Sequence, residues 1–157
     1  MNLKDWTPAD DRVCGQLVRI FSALEHQVLK LHVTSLQMIA DQWPDDKKDE
    51  WFREQLAHGL GARIKNLRKI MDAGGFDQSS IESVMEGLDG VAVKRNLFCH
   101  SSWGKSEDGR CEFWFFDREA WKRNSPIIAR YTHIEIERLA VETKKKIVML
   151  KGILEKT

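Results

Sequence analysis

Arg95 and His100 are the residues of this sequence whose types and spacing point to chemistry. Arginine offers a fixed cation with a planar fork of donors suited to phosphate oxygens. Histidine takes and gives a proton near neutral pH. Together they are what metal-free cleavage of RNA needs. A base removes the ribose 2′-hydroxyl proton, the oxygen attacks the adjacent phosphorus, and a cation steadies the charge that builds there. The products would carry a 2′,3′-cyclic phosphate. On an ideal helix, residues five apart lie about 140° apart around the axis. Arg95 must therefore reach round with its long stem. Asn96 and His100, four apart, share a face, so Asn96 is expected to orient the imidazole. The structural alternative is that Arg95 pairs with a buried carboxylate and His100 caps the helix C-terminus.

Other polar side chains need a role. Positions seven apart on a helix are nearly aligned, so Val18, Glu25, His32 and Ile39 form one row beside an apolar stripe. A carboxylate there is costly unless paired. Glu25 either forms a salt bridge that positions Arg95 or lies in water at the stripe's edge. Lys94 and Trp103 are the candidate substrate-binding residues. Phe113, Trp114, Phe115 and Phe116 alternate across a strand, so either Phe113 and Phe115 or Trp114 and Phe116 enter the core. Cover by a dimer partner is preferred to base stacking for the rest. Cys14, Cys99 and Cys111 are odd in number and contain no CxxC pair. Cys99 and Cys111 flank a turn near His100, but a zinc site would need more ligands at better spacing, and buried thiols are expected. His26, His58 and His133 show no partner pattern and read as surface or capping residues. No metal and no cofactor is expected.

The elements that must hold these residues are mainly helical. Thr7 as N-cap and Pro8 open a first helix. Its stripe is Val13, Leu17, Ile20, Phe21, Leu24, Val28, Leu31 and Met38, and Trp43-Pro44 ends it. A second helix is expected from about Glu50 to Met71, carrying Phe52, Leu56, Leu60, Ile64, Leu67 and Met71, weakened at Gly59 and Gly61 and stopped by Gly74-Gly75. A third opens at Ser79-Ser80-Ile81-Glu82, a capping-box pattern, and runs past Val84, Leu88 and Val91 to the Arg95–His100 segment. Gly87 and Gly90 permit a bend in it. Asp108-Gly109 marks a hairpin turn. A last helix opens with a second capping box, Thr132-His133-Ile134-Glu135. Its seam is Ile136, Ala140, Thr143, Ile147, Leu150 and Leu154, widened by Ile134, Val141 and Val148. The expected fold is all-α: an antiparallel four-helix bundle with a short β-hairpin between the third and last long helices, forming one domain over residues 1–157.

Composition narrows the function classes. The apolar fraction of 42% and charged fraction of 31% belong to a globular chain rather than a disordered one. A net charge of +1 gives no global field toward nucleic acid or membrane, so any RNA contact must rest on a local patch. Beside Arg95, only Lys94, Arg110 and Lys105 lie near the motif in sequence, so there is no obvious basic surround. No apolar run approaches the roughly 20 residues that span a bilayer, and no signal segment is seen. The cytoplasm is the expected compartment, with no membrane partner.

Arg95-Asn96-Leu97-Phe98-Cys99-His100 resembles the Arg-X4–6-His motif of the HEPN superfamily in its Arg-Asn form. Trp103 matches the variant in which a tryptophan follows the histidine in small bacterial HEPN-like proteins. Phe21-Ser22-Ala23-Leu24-Glu25 is similar to that family's first-helix pattern, and Tyr131-Thr132 fits the lead into its last helix. The resemblance implies a homodimer in which two motifs face one cleft. It implies metal-independent endoribonuclease activity in toxin–antitoxin or phage-defence settings, with His100 as general acid or base and Arg95 as phosphate ligand. It also implies the alternative of a non-catalytic dimeric binding or scaffolding module, which would recognise a partner or inhibitor protein.

Overall fold

The computed structural model describes residues 5–40, 49–50, 53, 59–86 and 88–156. Its elements, in chain order, are α1 (Pro8–Ala40), α2 (Leu60–Ala73), α3 (Gln78–Met85), α4 (Leu88–His100), β1 (Ser102–Lys105), β2 (Cys111–Phe115), α5 (Arg118–Lys122), β3 (Ile127–Tyr131) and α6 (His133–Leu154). The chain divides into two compact units, Met1–Ser22 with Val93–Lys144 and Ala23–Ala92 with Lys145–Thr157. The fold is mostly helical but mixed α/β, with a three-stranded antiparallel sheet. This corrects the expected all-α four-helix bundle with a hairpin. The missed strand, β3, has Ile127 and Ile128 exposed and only Ala129 and Tyr131 half-buried, so it carries no clean alternation of its own. Pairing with β2 makes it a strand, and such context overrides local pattern.

The first unit is built on the sheet. Strand order is β1-β2-β3. Trp103 lies opposite Phe113 and Phe113 opposite Ala129; Lys105 lies opposite Cys111 and Cys111 opposite Tyr131. The pleat sends all six to one face. Of the two expected pairs, Phe113 is buried while Phe115 and Trp114 are both half-buried and Phe116 is exposed, so one aromatic rather than a whole pair enters the core. On the other face Arg130 donates from Nε to Glu112 at 2.6 Å, directly across the ladder. In the hairpin loop the Gly109 amide donates to the Ser106 carbonyl at 2.9 Å, and Gly109 has φ 79°. That left-handed conformation is nearly free for glycine. Asp117 caps α5 by accepting from the Ala120 amide at 2.7 Å.

The core of this unit is aromatic. Phe98 centres on Phe113 at 4.3 Å, Tyr131 at 5.2 Å and Phe21 at 6.0 Å between ring centroids. Trp103 meets Phe113 edge-on at 5.8 Å and Trp6 at 6.1 Å. The α1 start is as expected, with a reciprocal cap. The Asp10 amide donates to Thr7 Oγ1, while Asp10 Oδ2 accepts from the Thr7 amide at 2.8 Å and from its hydroxyl at 2.7 Å. Thr132 and Glu135 form the same arrangement at the head of α6.

The second unit buries Leu24, Val28, Leu31, Leu36 and Ile39 of α1, Ile64, Leu67 and Met71 of α2, and Ile81, Val84 and Leu88 from α3 and α4; Leu36, Ile39 and Ile70 form one cluster. Here two expected helices are shorter than their apolar spacing suggests. Gly59 is extended (φ −69°, ψ 167°) and precedes α2, so the helix does not continue unbroken from Glu50. The third helix is interrupted at Glu86, whose ψ of 112° leaves the α region, and becomes α3 and α4. Its cap is Asp77, which accepts from the Ser80 amide at 2.9 Å, two residues before the expected Ser79. Gly74 and Gly75 end α2 as expected. Trp43-Pro44, Phe52, Leu56, His58 and Gly87 lie outside the described residues. Met38 is 43% exposed and leaves the predicted stripe. Ile134, Val141 and Val148, expected to widen the α6 seam, are 68%, 52% and 69% exposed and form a separate row at seven-residue spacing.

Phe98→Ala should cost about 3–5 kcal/mol, as truncating a fully buried aromatic does, read by urea unfolding. Phe116, 43% exposed, should lose far less on truncation. Asp77→Ala should lower the urea midpoint at neutral pH. Hydrogen bonds from Ser79 and Ser80 hold the Asp77 carboxyl below its ordinary range. A depressed carboxyl contributes above its unfolded pKa of about 4 and loses that contribution as pH falls toward the folded value. The gap between wild type and Asp77→Ala should therefore close as pH drops below about 4.

Candidate functional site

The last turns of α4 and the start of β1 carry the motif. Phe98 is the anchor: its ring is fully buried, so the residues around it in the helix are held by the core. Trp103 donates from Nε1 to the Phe98 carbonyl at 2.9 Å. It thereby satisfies one of the carbonyls a helix C-terminus leaves open. The chain is fixed on both sides of His100, which itself is exposed.

Arg95 Nη1 lies 2.8 Å from His100 Nε2 and 3.1 Å from Asn96 Oδ1. The 140° separation of an ideal helix is bridged by the length of the arginine stem. Guanidinium has only donors, so His100 Nε2 accepts, and the proton of a neutral ring sits on Nδ1. Asn96 acts on the guanidinium, whereas the helical spacing pointed it at the imidazole. One face of the pair is thus a cation with its donors aligned, and the other is the Nδ1 edge of an imidazole at an exposed helix end. A phosphodiester oxygen beside Nη1 would lie within reach of the imidazole.

The flanking cations are mostly committed elsewhere. Lys105 is 14% exposed and makes an ion pair with Asp10. Arg110 pairs with Asp108 through Nε, at 2.8 Å, and through Nη2. Lys94 is half-buried on α4. Trp103, the other candidate substrate-binding residue, is half-buried with its N–H engaged by Phe98. Glu25 is half-buried on α1 and belongs to the second unit.

A second polar centre has no counterpart among the motifs of the sequence. Asp10 is fully buried. Burial alone would raise its pKa, but hydrogen bonds from Lys105, Thr7 and His133 prevail and hold it well below the usual carboxylate range. His133, expected to be a capping residue without a partner, puts Nε2 2.6 Å from Asp10 Oδ1. That contact raises the His133 pKa against the opposite effect of burial. Cys111 donates to the same oxygen at 3.3 Å, and its thiol interacts with that of Cys14. Cys111 was expected near Cys99 and His100; the structure groups it instead with Cys14, which is one turn along α1 from Asp10. The usable signal was that i, i+4 spacing of Asp10 and Cys14 on one helix face. No family model, curated protein or solved structure matches the chain.

Proposed function

We propose that this protein is a HEPN-type, metal-independent endoribonuclease that acts as a homodimer. The observation that carries the reading is the 2.8 Å contact of Arg95 Nη1 with His100 Nε2 at an exposed helix end. His100 serves as general acid or base, Arg95 binds the scissile phosphate, and Asn96 holds the guanidinium. The exposed row of Ile134, Val141 and Val148 on α6 supports a partner subunit, since such a row sheds water when a second helix covers it. The three free cysteines fit a reducing compartment such as the cytosol. A toxin or phage-defence setting follows from the resemblance alone.

The second reading is a non-catalytic dimeric module that binds a partner or inhibitor protein. It is favoured by the commitment of Lys105 and Arg110 to carboxylates, which leaves a thin cationic surround for RNA.

Purified protein incubated with cellular RNA, with no added divalent metal, should yield 2′,3′-cyclic phosphate ends. His100→Ala should lower the cleavage rate by about 100-fold or more, the usual scale for general acid–base catalysis. Equal cleavage by both proteins, or none by either over a range of RNAs, rejects the enzyme and leaves the binding module. Growth of cells expressing the protein should slow in a His100-dependent way. Arg95 and Lys94 from two subunits give four phosphate contacts. Affinity for single-stranded RNA should then fall with salt at a log–log slope of about −3, measured by fluorescence anisotropy; a slope near zero means the cations do not touch phosphate.

A further inference from the structure

Asp10, Cys111 and His133 bring one ligand atom each within 4.8 Å of one another. Cys14 lies outside that group and must close on it; it is buried one turn along α1 from Asp10 and its thiol interacts with that of Cys111, so it is the nearest source of a second sulfur. These residues come from α1, β2 and the head of α6, and Asp10, Cys14 and Cys111 are buried. We propose that Asp10, Cys14, Cys111 and His133 form a structural zinc site, in which Lys105 gives up its place on Asp10 to the metal and remains as a neighbouring counter-charge.

The donor set selects the ion. Two thiolates, one imidazole and one carboxylate oxygen suit a tetrahedral, borderline-soft divalent cation, which is zinc. With Zn–S near 2.3 Å and Zn–N or Zn–O near 2.0–2.2 Å, tetrahedral ligand atoms stand roughly 3.3–3.8 Å apart. Cys111 Sγ is already 3.3 Å from Asp10 Oδ1. His133 Nε2, at 2.6 Å, needs to withdraw by less than about 1 Å.

Asp10 Oδ1 is also crowded. Lys105 Nζ, His133 Nε2 and Cys111 Sγ all converge on this one oxygen. Each carboxylate oxygen has about two lone-pair sites, so three donors compete for them. A metal ion replaces that competition with one bond. His133 then turns from donor to acceptor at Nε2, and Cys14 and Cys111 each release a proton to solvent. Charge also balances. Three anionic ligands against a divalent cation leave one negative charge, and the Lys105 ammonium neutralises it. His133, whose side chain is 38% exposed, gives the ion a way in.

The test uses the full chain, purified with reductant, stripped by chelator and titrated with cobalt(II) and then zinc(II). One equivalent of cobalt should give the intense visible bands of a tetrahedral site and a sulfur-to-cobalt charge-transfer band, and zinc should bleach both and raise Tm. Cys111→Ser and Cys14→Ser should each weaken the charge-transfer band, and Cys99→Ser should leave it intact. His133→Ala should weaken zinc binding by more than about 100-fold, beyond the loss on removing an outer partner. Lys105→Met keeps every ligand and removes the competing cation, so it should still bind. A folded wild-type chain without the sulfur band overturns the proposal, as does binding confined to Lys105→Met. A band that survives in the Cys14→Ser, Cys111→Ser double variant also overturns it.

Discussion

Phe98 sits where the core and the chemistry share one stretch of chain. Its ring packs on Phe113, Tyr131 and Phe21, which come from β2, β3 and α1. Its carbonyl accepts the Trp103 indole N–H, which ties the helix end to β1. Arg95 and His100 lie three residues before it and two after. Their side chains meet because the backbone between them cannot drift. Aromatic side chains bury more apolar area than any others and dominate the energetics of a core, and here that burial falls within the hexapeptide that carries the polar groups. The positioning of the guanidinium and the imidazole is thus a consequence of packing rather than of their own attraction, which at an exposed helix end is weak.

The distribution of charge follows a different constraint. A nearly neutral chain has no large excess of cations, and most of those near the motif are balanced locally. Lys105 neutralises a fully buried carboxylate, a task that cannot be left undone because an unpaired charge there would cost several kcal/mol. Arg130 does the same for Glu112, which is 5% exposed. Within the motif the Arg95 guanidinium donates to Asn96 Oδ1 and lies 2.8 Å from His100 Nε2.

How much was legible depended on whether a feature was local. The caps at Thr7 and Thr132, the stop at Gly74-Gly75 and the Asp108-Gly109 turn are decided by a few adjacent residues, and all stand where the residue types place them. Helix continuity was less legible. Gly59 and Glu86 interrupt runs whose apolar spacing reads through them, because spacing is blind to a single backbone torsion. The Asp10 centre left only the i, i+4 spacing of Asp10 and Cys14 as a local trace, since Asp10, Lys105, Cys111 and His133 are separated by up to 123 positions and meet only in the folded chain.

The amino-acid sequence by itself determined the starts of the first and last helices, most of the apolar stripe of α1, the turn of the hairpin and the candidacy of Arg95, Asn96 and His100. These depend on side-chain chemistry and on periods of a few residues. Tertiary structure alone decided that Ile127–Tyr131 is a strand, that Ile134, Val141 and Val148 face outward, that Arg95 spans to His100, and that His133 and Cys111 meet at Asp10. The strand and the Asp10 cluster join segments distant in the chain, and the outward face of α6 and the reach of Arg95 depend on what packs around them, so no local window contains the burial and register that decide them.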